Sequence, residues 1–242
     1  MREELLHWDG LGTPHAFETK HGDLRATLPG RLLRLRQEHG RDVHVVREDT
    51  VLDDYAAATV EDRPAGDALV TAKRGITIAV ATADCVPVLM HDPIAGVVGV
   101  AHAGWRGIAA GVVGATLTAM VETFGTRPAD CRAAVGPCVG ALAYRVGHEV
   151  GEAFRAAGLP EDLFRVSERA ADGNPSTWLC DLGRAVALQL RDGGLTAGAI
   201  WLAHRCTLTE AGVFHSYRRD GGAAGRMTSG VALAGRPRAA GS

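Results

Sequence analysis

Residues 82–107 constrain the fold more than any other stretch. Two apolar segments, 76–81 and 96–101, flank a turn there. Both are rich in Val and Ile with Gly and Pro close by, which predicts two buried strands. Each ends in a residue able to do chemistry: Cys85 after the first, His102 after the second. A thiolate and an imidazole delivered to adjacent strand ends suit a zinc or copper ion. They equally suit a Cys–His nucleophile pair, and the residues alone leave both open. The second segment runs on into residues 106–124, mostly Ala, Val, Leu and Gly, with Gly125 after them, which predicts one helix and its stop. Gly104 and Gly107 allow a tight turn and close approach to a ligand, while a helix start beside Arg106 favours an anion.

The rest of the chain supplies strands more often than helices. Residues 1–30 are polar around a short apolar patch at 14–17. Residues 31–39 read as a short helix and 43–46 as a strand, which leaves His39 at their junction and His44 within the strand pattern. Residues 49–66 read as a polar loop, and 67–71 return to the core. Asp67 there suits a turn cap. Asp84 suits either a carboxylate that orients a ligand histidine or a cap on the strand end. Residues 131–140 read as a strand entering a Gly-Pro-Cys-Val-Gly turn, with Cys138 a small buried side chain. Helices are expected at 149–157 and 179–190, a polar loop at 165–176, and a short strand at 199–203. Residues 213–217 alternate apolar and polar, which predicts a strand, and Arg218, Arg219 and Asp220 follow, either a phosphate clamp or a solvated turn. A last strand is expected to 233 and a frayed end at 237–242. Strands that outnumber helices without regular alternation favour an α+β fold. No break in composition divides the chain, so residues 1–242 read as a single domain.

Composition narrows the partners. Lys and Arg total 26 against 28 Asp and Glu, a net charge of −2, which offers no general attraction to nucleic acid or to an anionic membrane. Aromatic residues make up 5 %, too few for a base-stacking platform. The start is charged with no apolar run behind it, so no export signal is read, and the apolar stretch 108–121 is too short to span a bilayer. Five cysteines in such a chain are expected as reduced thiols in the cytoplasm.

Ala83-Asp84-Cys85-Val86-Pro87-Val88 followed by Ala101-His102-Ala103-Gly104-Trp105-Arg106-Gly107 resembles the laccase-domain family of bacterial proteins. Its members are also called multicopper polyphenol oxidase-like proteins, peptidoglycan editing factors or purine nucleoside phosphorylases. Gln37-Glu38-His39-Gly40, Gly66-Asp67-Ala68-Leu69-Val70-Thr71, Gly136-Pro137-Cys138-Val139-Gly140, Cys206-Thr207, Phe214-His215-Ser216-Tyr217-Arg218-Arg219-Asp220 and Gly225-Arg226-Met227 stand in the family's order. The resemblance implies an α/β/β/α sandwich with mixed central sheets. It implies His39, Cys85 and His102 as catalytic residues and as ligands of one zinc, copper being possible. Three protein ligands leave the open position of a catalytic zinc. Asp67, Asp84, Arg106, Arg218 and Arg219 would then surround a small-molecule substrate, a purine nucleoside with phosphate. The implied reactions are phosphorolysis, adenosine deamination and methylthioadenosine phosphorolysis. Copper oxidation of polyphenols is secondary, because the 10 histidines form no His-x-His pair. A metal-free Cys85–His102 hydrolase acting on peptidoglycan precursors is the third reading. The family's Arg is Lys20 here and its Asn-rich N-terminal segment is missing, which is expected to spare deamination more than phosphorolysis.

Overall fold

The computed structural model describes residues 4–169 and 175–234. Fourteen strands occur among them: β1 (Leu5–Leu6), β2 (His15–Glu18), β3 (Arg31–Leu33), β4 (Val43–Val46), β5 (Ala68–Thr71), β6 (Ile76–Thr82), β7 (Val86–Asp92), β8 (Val97–Ala103), β9 (Arg132–Val135), β10 (Arg145–Val146), β11 (Phe164–Arg169), β12 (Pro175–Cys180), β13 (Ile200–Leu202) and β14 (Met227–Ala232). The α-helices are α1 (Leu24–Thr27), α2 (Trp105–Ala110), α3 (Val112–Phe124), α4 (His148–Ala156), α5 (Leu182–Asp192) and α6 (Tyr217–Asp220). One sheet has the order β13-β9-β7-β8-β5-β4, a second β1-β2-β14-β6-β3, and a small third β10-β12-β11. Both large sheets are mixed, with parallel pairs at β4–β5, β13–β9 and β3–β6.

Alternation along the strands builds the layers. In β7, Val86, Val88 and Met90 join the core beneath α2–α5, whereas Leu89 points the other way. Leu89 meets Leu69, Val98 and Val100 of its own sheet and Leu33, Ile78 and Val231 of the second. The second sheet's outer face carries Ala16 against Leu24 and Leu28 around the short α1. The result is an α/β/β/α sandwich whose fourth layer is thin. Strands buried on both faces read as continuous apolar runs, which is why 76–82 and 97–103 stand out in the sequence.

Several expectations are corrected. The supposed turn between the two apolar segments is itself a strand, β7, disguised by Pro87 near its start and the Asp92-Pro93 breaker at its end. The two segments do not end side by side in one sheet: β6 lies in the second sheet and β8 in the first. The single helix over 106–124 is two, because Gly111 at φ 84° caps α2 and starts α3. Residues 31–39 form β3 and an irregular extension, not a helix. Of the polar loop expected at 165–176, residues 165–169 and 175–176 belong instead to the antiparallel strands β11 and β12, polar because much of β11 faces solvent, and 170–174 lie outside the described residues. Residues 213–217 form no strand; Ser216 accepts from the Arg219 N–H and caps α6. The frayed end at 237–242 lies outside the described residues.

Candidate metal centre

The chain twice crosses from the second sheet to the first at the same end of the sandwich. The β3–β4 crossing carries His39 and the β6–β7 crossing carries Cys85, while His102 stands near the end of β8. Their donor atoms all lie within 4.8 Å of one another. His102 is buried, Cys85 is half-buried and His39 is exposed at the rim.

Each donor is held by a specific local device. Gln37 uses its side-chain amide like a strand backbone, accepting from the Ala81 N–H and donating to the Ala81 carbonyl, both at 2.8 Å. That pins the crossing against β6 one residue before Glu38. His39 then turns with φ 61°, a conformation uncommon for a residue with a Cβ. Its cost is met by Asp67, whose buried carboxylate accepts the N–H groups of Glu38, His39 and Gly40 at 3.2, 3.0 and 2.7 Å. The same carboxylate takes Nδ1 of His102 at 2.7 Å, which leaves Nε2 as the ring nitrogen available to a metal. Gly104 closes the floor. A Cβ there would stand 3.0 Å from both Cys85 Sγ and His39 Cδ2, so glycine is what the close approach requires.

Electrostatics follow from this packing. Burial would raise the Asp67 carboxyl, but hydrogen bonds from His102, Gly40 and Glu38 hold it below its ordinary value. Burial likewise opposes ionisation of Cys85, yet hydrogen bonds from His102 and His39 bring the thiol down to about 6. Burial would lower His102, but Asp67 and Cys85 overcome it and raise the imidazole to about 9. The site therefore presents a thiolate at neutral pH, and Asp67 fixes the orientation of one histidine ring and the backbone of the other.

The donors open into a cleft of about 610 Å³ that also reaches Arg63, Trp105, Arg106, Val139, Tyr144, Leu182, Tyr217, Arg218 and Arg226. Three arginines lie over aromatic rings: Arg106 over Trp105 at 4.2 Å, Arg218 over Tyr144 at 5.0 Å and Arg226 over Tyr217 at 5.6 Å. The rim is thus cationic and the wall partly aromatic.

The structure sorts the residues singled out in the sequence. His39, Cys85, His102, Arg106 and Arg218 meet at the cleft. Asp67 lies behind the histidines. His44, the competing histidine, bonds Tyr55 and the Ala65 carbonyl away from the cluster. Asp84 is also in the cleft wall, but its carboxylate faces the C-terminal segment, accepting from Thr207 Oγ1, Ser216 Oγ and the Arg218 N–H at 2.6, 3.0 and 2.6 Å. The histidine-orienting carboxylate is Asp67, not Asp84. Arg219 spends its guanidinium on Asp220 and the carbonyls of Thr207, Leu208 and Phe214, so it braces the tail and does not line the cleft. Lys20 bonds the Ala211 carbonyl and is likewise not in the lining. Arg63, Tyr144 and Arg226 escaped the sequence reading. Arg226 stood in a recognised motif, whereas Arg63 sat in an apparently featureless polar loop.

Comparison with known proteins places this geometry. The sequence profile of the family described as multi-copper polyphenol oxidoreductase laccase matches residues 16–234. The purine nucleoside phosphorylase of Deinococcus radiodurans is 39 % identical over 247 aligned residues, covering 95 % of this chain and 92 % of the relative. The purine nucleoside phosphorylase ORF3 of Streptomyces griseus is 41 % identical over 192, covering 79 % and 70 %. The crystal structure of YlmD from Geobacillus stearothermophilus superposes with a TM-score of 0.85 at 28 % identity, covering 96 % of this chain and 97 % of that one.

Proposed function

The chain belongs to the multi-copper polyphenol oxidoreductase laccase family, and from that premise we propose that it is a zinc-dependent purine nucleoside phosphorylase. We extend the proposal to deamination of adenosine and phosphorolysis of methylthioadenosine in the same cleft. The observation that carries it is the convergence of His39, Cys85 and His102 on a cleft edged by arginines. A donor set of one thiolate and two imidazoles fits zinc, and the Asp67–His102 bond supplies the carboxylate partner such sites use. Among the described residues this is the one group of three or more potential ligands, which suits a mononuclear centre better than a copper cluster. Zinc held there supplies Lewis-acid activation of an oxygen nucleophile.

The remaining work falls to this chain's own side chains. In phosphorolysis a phosphate oxygen bonds to ribose C1′, the C1′–N bond breaks, and its electron pair leaves with the base, which takes the proton that the hydrogen phosphate gives up. In this reading Arg106, Arg218 and Arg226, which line the cleft, hold the anion, and Tyr144, Val139 and Leu182 of the same lining offer the apolar surface a purine needs. Asp67 keeps a proton on His102 Nδ1 throughout, fixing the ring. Arg106 has the least encumbered guanidinium of the group, with the Trp105 face beneath it.

The test is turnover of inosine and adenosine by zinc-loaded protein, with and without phosphate. Ribose 1-phosphate and free base are expected with phosphate, and ammonia from adenosine without it. Metal analysis after growth without added copper is expected to give about one zinc per chain. Full activity in zinc-free protein overturns the metal assignment.

One observation favours a second reading. Asp67, His102 and Cys85 also form an acid–imidazole–thiolate series of the kind used by cysteine hydrolases. His39, which such a series does not need, tips the choice to metal. Hydrolysis of an acyl substrate by chelator-treated protein, blocked by thiol alkylation, is the result that would favour the hydrolase.

A further inference from the structure

A pair of thiols lies behind the cleft wall. The Gly136–Gly140 turn and the segment after His204 meet in an isolated parallel bridge, with Cys138 opposite Cys206. The Cys138 N–H donates to the Arg205 carbonyl at 3.3 Å and the Thr207 N–H donates to the Cys138 carbonyl at 2.9 Å. Neighbouring strands lie about 4.8 Å apart, and directly opposed residues present their side chains to the same face. A disulfide spans Cα separations of roughly 4.4–6.8 Å, so the bridge sets these two residues in range. Both line one cavity of about 360 Å³, separate from the metal cleft and bordered by Gly183, Ala187, Leu202 and His204.

The two sulfurs are unlike. Cys206 is half-buried, and its sulfur accepts the Gly140 N–H at 3.2 Å, with the Thr209 hydroxyl and the Thr209 and Leu208 N–H groups also directed at it. Although burial opposes it, those donors hold the Cys206 thiol below its ordinary value. Cys138 is buried, and burial raises its thiol far above that value. One sulfur is thus drawn toward its thiolate form and reached through a cavity, while burial disfavours ionisation of the other beside it.

We propose that Cys138 and Cys206 are a reversible thiol–disulfide pair, closed by hydrogen peroxide, with Cys206 as the attacking sulfur and Cys138 as the resolving one. The Cys206 thiolate attacks one peroxide oxygen, the O–O bond breaks, and hydroxide leaves, giving a sulfenic acid at Cys206. Cys138 sulfur then attacks the Cys206 sulfur. The S–O bond breaks, and hydroxide leaves with the Cys138 proton as water. Peroxide is the two-electron oxidant, and a dithiol such as dithiothreitol reverses the bond. Closure bears on the metal centre through a short path: the Val139 N–H donates to the Asp84 carbonyl at 3.0 Å and Thr207 Oγ1 to its carboxylate at 2.6 Å, and Asp84 precedes Cys85. The pairing does not depend on which reaction the cleft performs.

The experiment treats zinc-loaded protein with a small excess of hydrogen peroxide, alkylates it under denaturing conditions and digests it with trypsin. The expected product joins the peptide carrying Cys138 to the one carrying Cys206, lighter by two hydrogens than their sum and lost on dithiothreitol treatment. Of the five cysteines, two then resist alkylation until reduced. In Cys138→Ser the cross-link is expected to vanish and dimedone to label Cys206 instead; in Cys206→Ser both signals are expected to vanish. If both thiols remain alkylatable at a dose that fully oxidises Cys85, the pairing is wrong. It is equally wrong if the cross-link forms no faster in the folded chain than in the chain unfolded in guanidinium.

Discussion

Asp67 is the residue on which the site turns. One carboxylate fixes the His102 ring and, through three N–H groups, the backbone of His39. If the proposed zinc site holds, metal uptake has a defined proton cost. His102 stays protonated up to about 9 and Cys85 is a thiolate above about 6, whereas a metal requires neutral imidazole and thiolate. Between those values zinc uptake is expected to release about one proton, from His102, so affinity climbs roughly tenfold per pH unit toward 9 and then levels. Below 6 a second proton, from Cys85, steepens the dependence. Calorimetry in buffers of different ionisation enthalpy measures the proton count at pH 7.5; a count of zero would show that His102 is not a ligand. Arg106 is the anion contact expected to matter most. Losing a charge-assisted hydrogen bond costs about 1.5–3 kcal/mol, so Arg106→Ala is expected to lower phosphorolysis tenfold or more, seen as a raised KM for phosphate. Unchanged phosphate kinetics would leave the arginine a structural role.

At the level of elements, the site depends on segments that sequence patterns describe poorly. β6 and β8 are legible because burial on both faces makes them unbroken apolar runs. Cys85, His102 and His39 are legible through motifs. The two crossings between sheets are not, since an irregular segment carries no period. The Asp67–His102 bond joins residues 35 apart, a pairing no local pattern exposes. β7 is hidden by Pro87, and β11 by its exposed face. Arg219 shows the converse failure, because a charged motif drew attention to a side chain occupied with its own turn. The Trp105 helix entry offers a direct test of how closely these elements are fitted. Gly104→Ala places a methyl 3.0 Å from Cys85 Sγ and His39 Cδ2. The fold is expected to persist with unchanged circular dichroism, while zinc affinity falls roughly tenfold, the size of effect that supporting positions have at such centres. Retained affinity would mean that the donors can shift without penalty.

Across the whole molecule, the tail is bound to the centre of the sandwich by Asp84. Its carboxylate gathers Thr207, Ser216 and the Arg218 N–H, and its own backbone is held at φ 94°. Removing it leaves these donors unsatisfied at a cost of about 1–3 kcal/mol for each one buried. Asp84→Ala is therefore expected to lower the urea midpoint by an amount equivalent to roughly 3 kcal/mol or more. A purely substrate-binding Asp84 would leave that midpoint in place. Because Arg218 and Arg226 belong to the same tail, the cationic rim and the metal donors are joined only when the sandwich is complete.

The guanidinium resting on Trp105 has an optical consequence. A cation 4.2 Å above an indole perturbs its excited state, and an arriving anion that draws Arg106 aside changes that perturbation. Trp8 and Trp201 stack on each other away from this spot and supply a constant background. Titration with inorganic phosphate is therefore expected to shift or scale tryptophan emission saturably in unlabelled protein, and Trp105→Phe to abolish the response. The protein would then carry its own fluorescent gauge of anion occupancy, readable without any turnover.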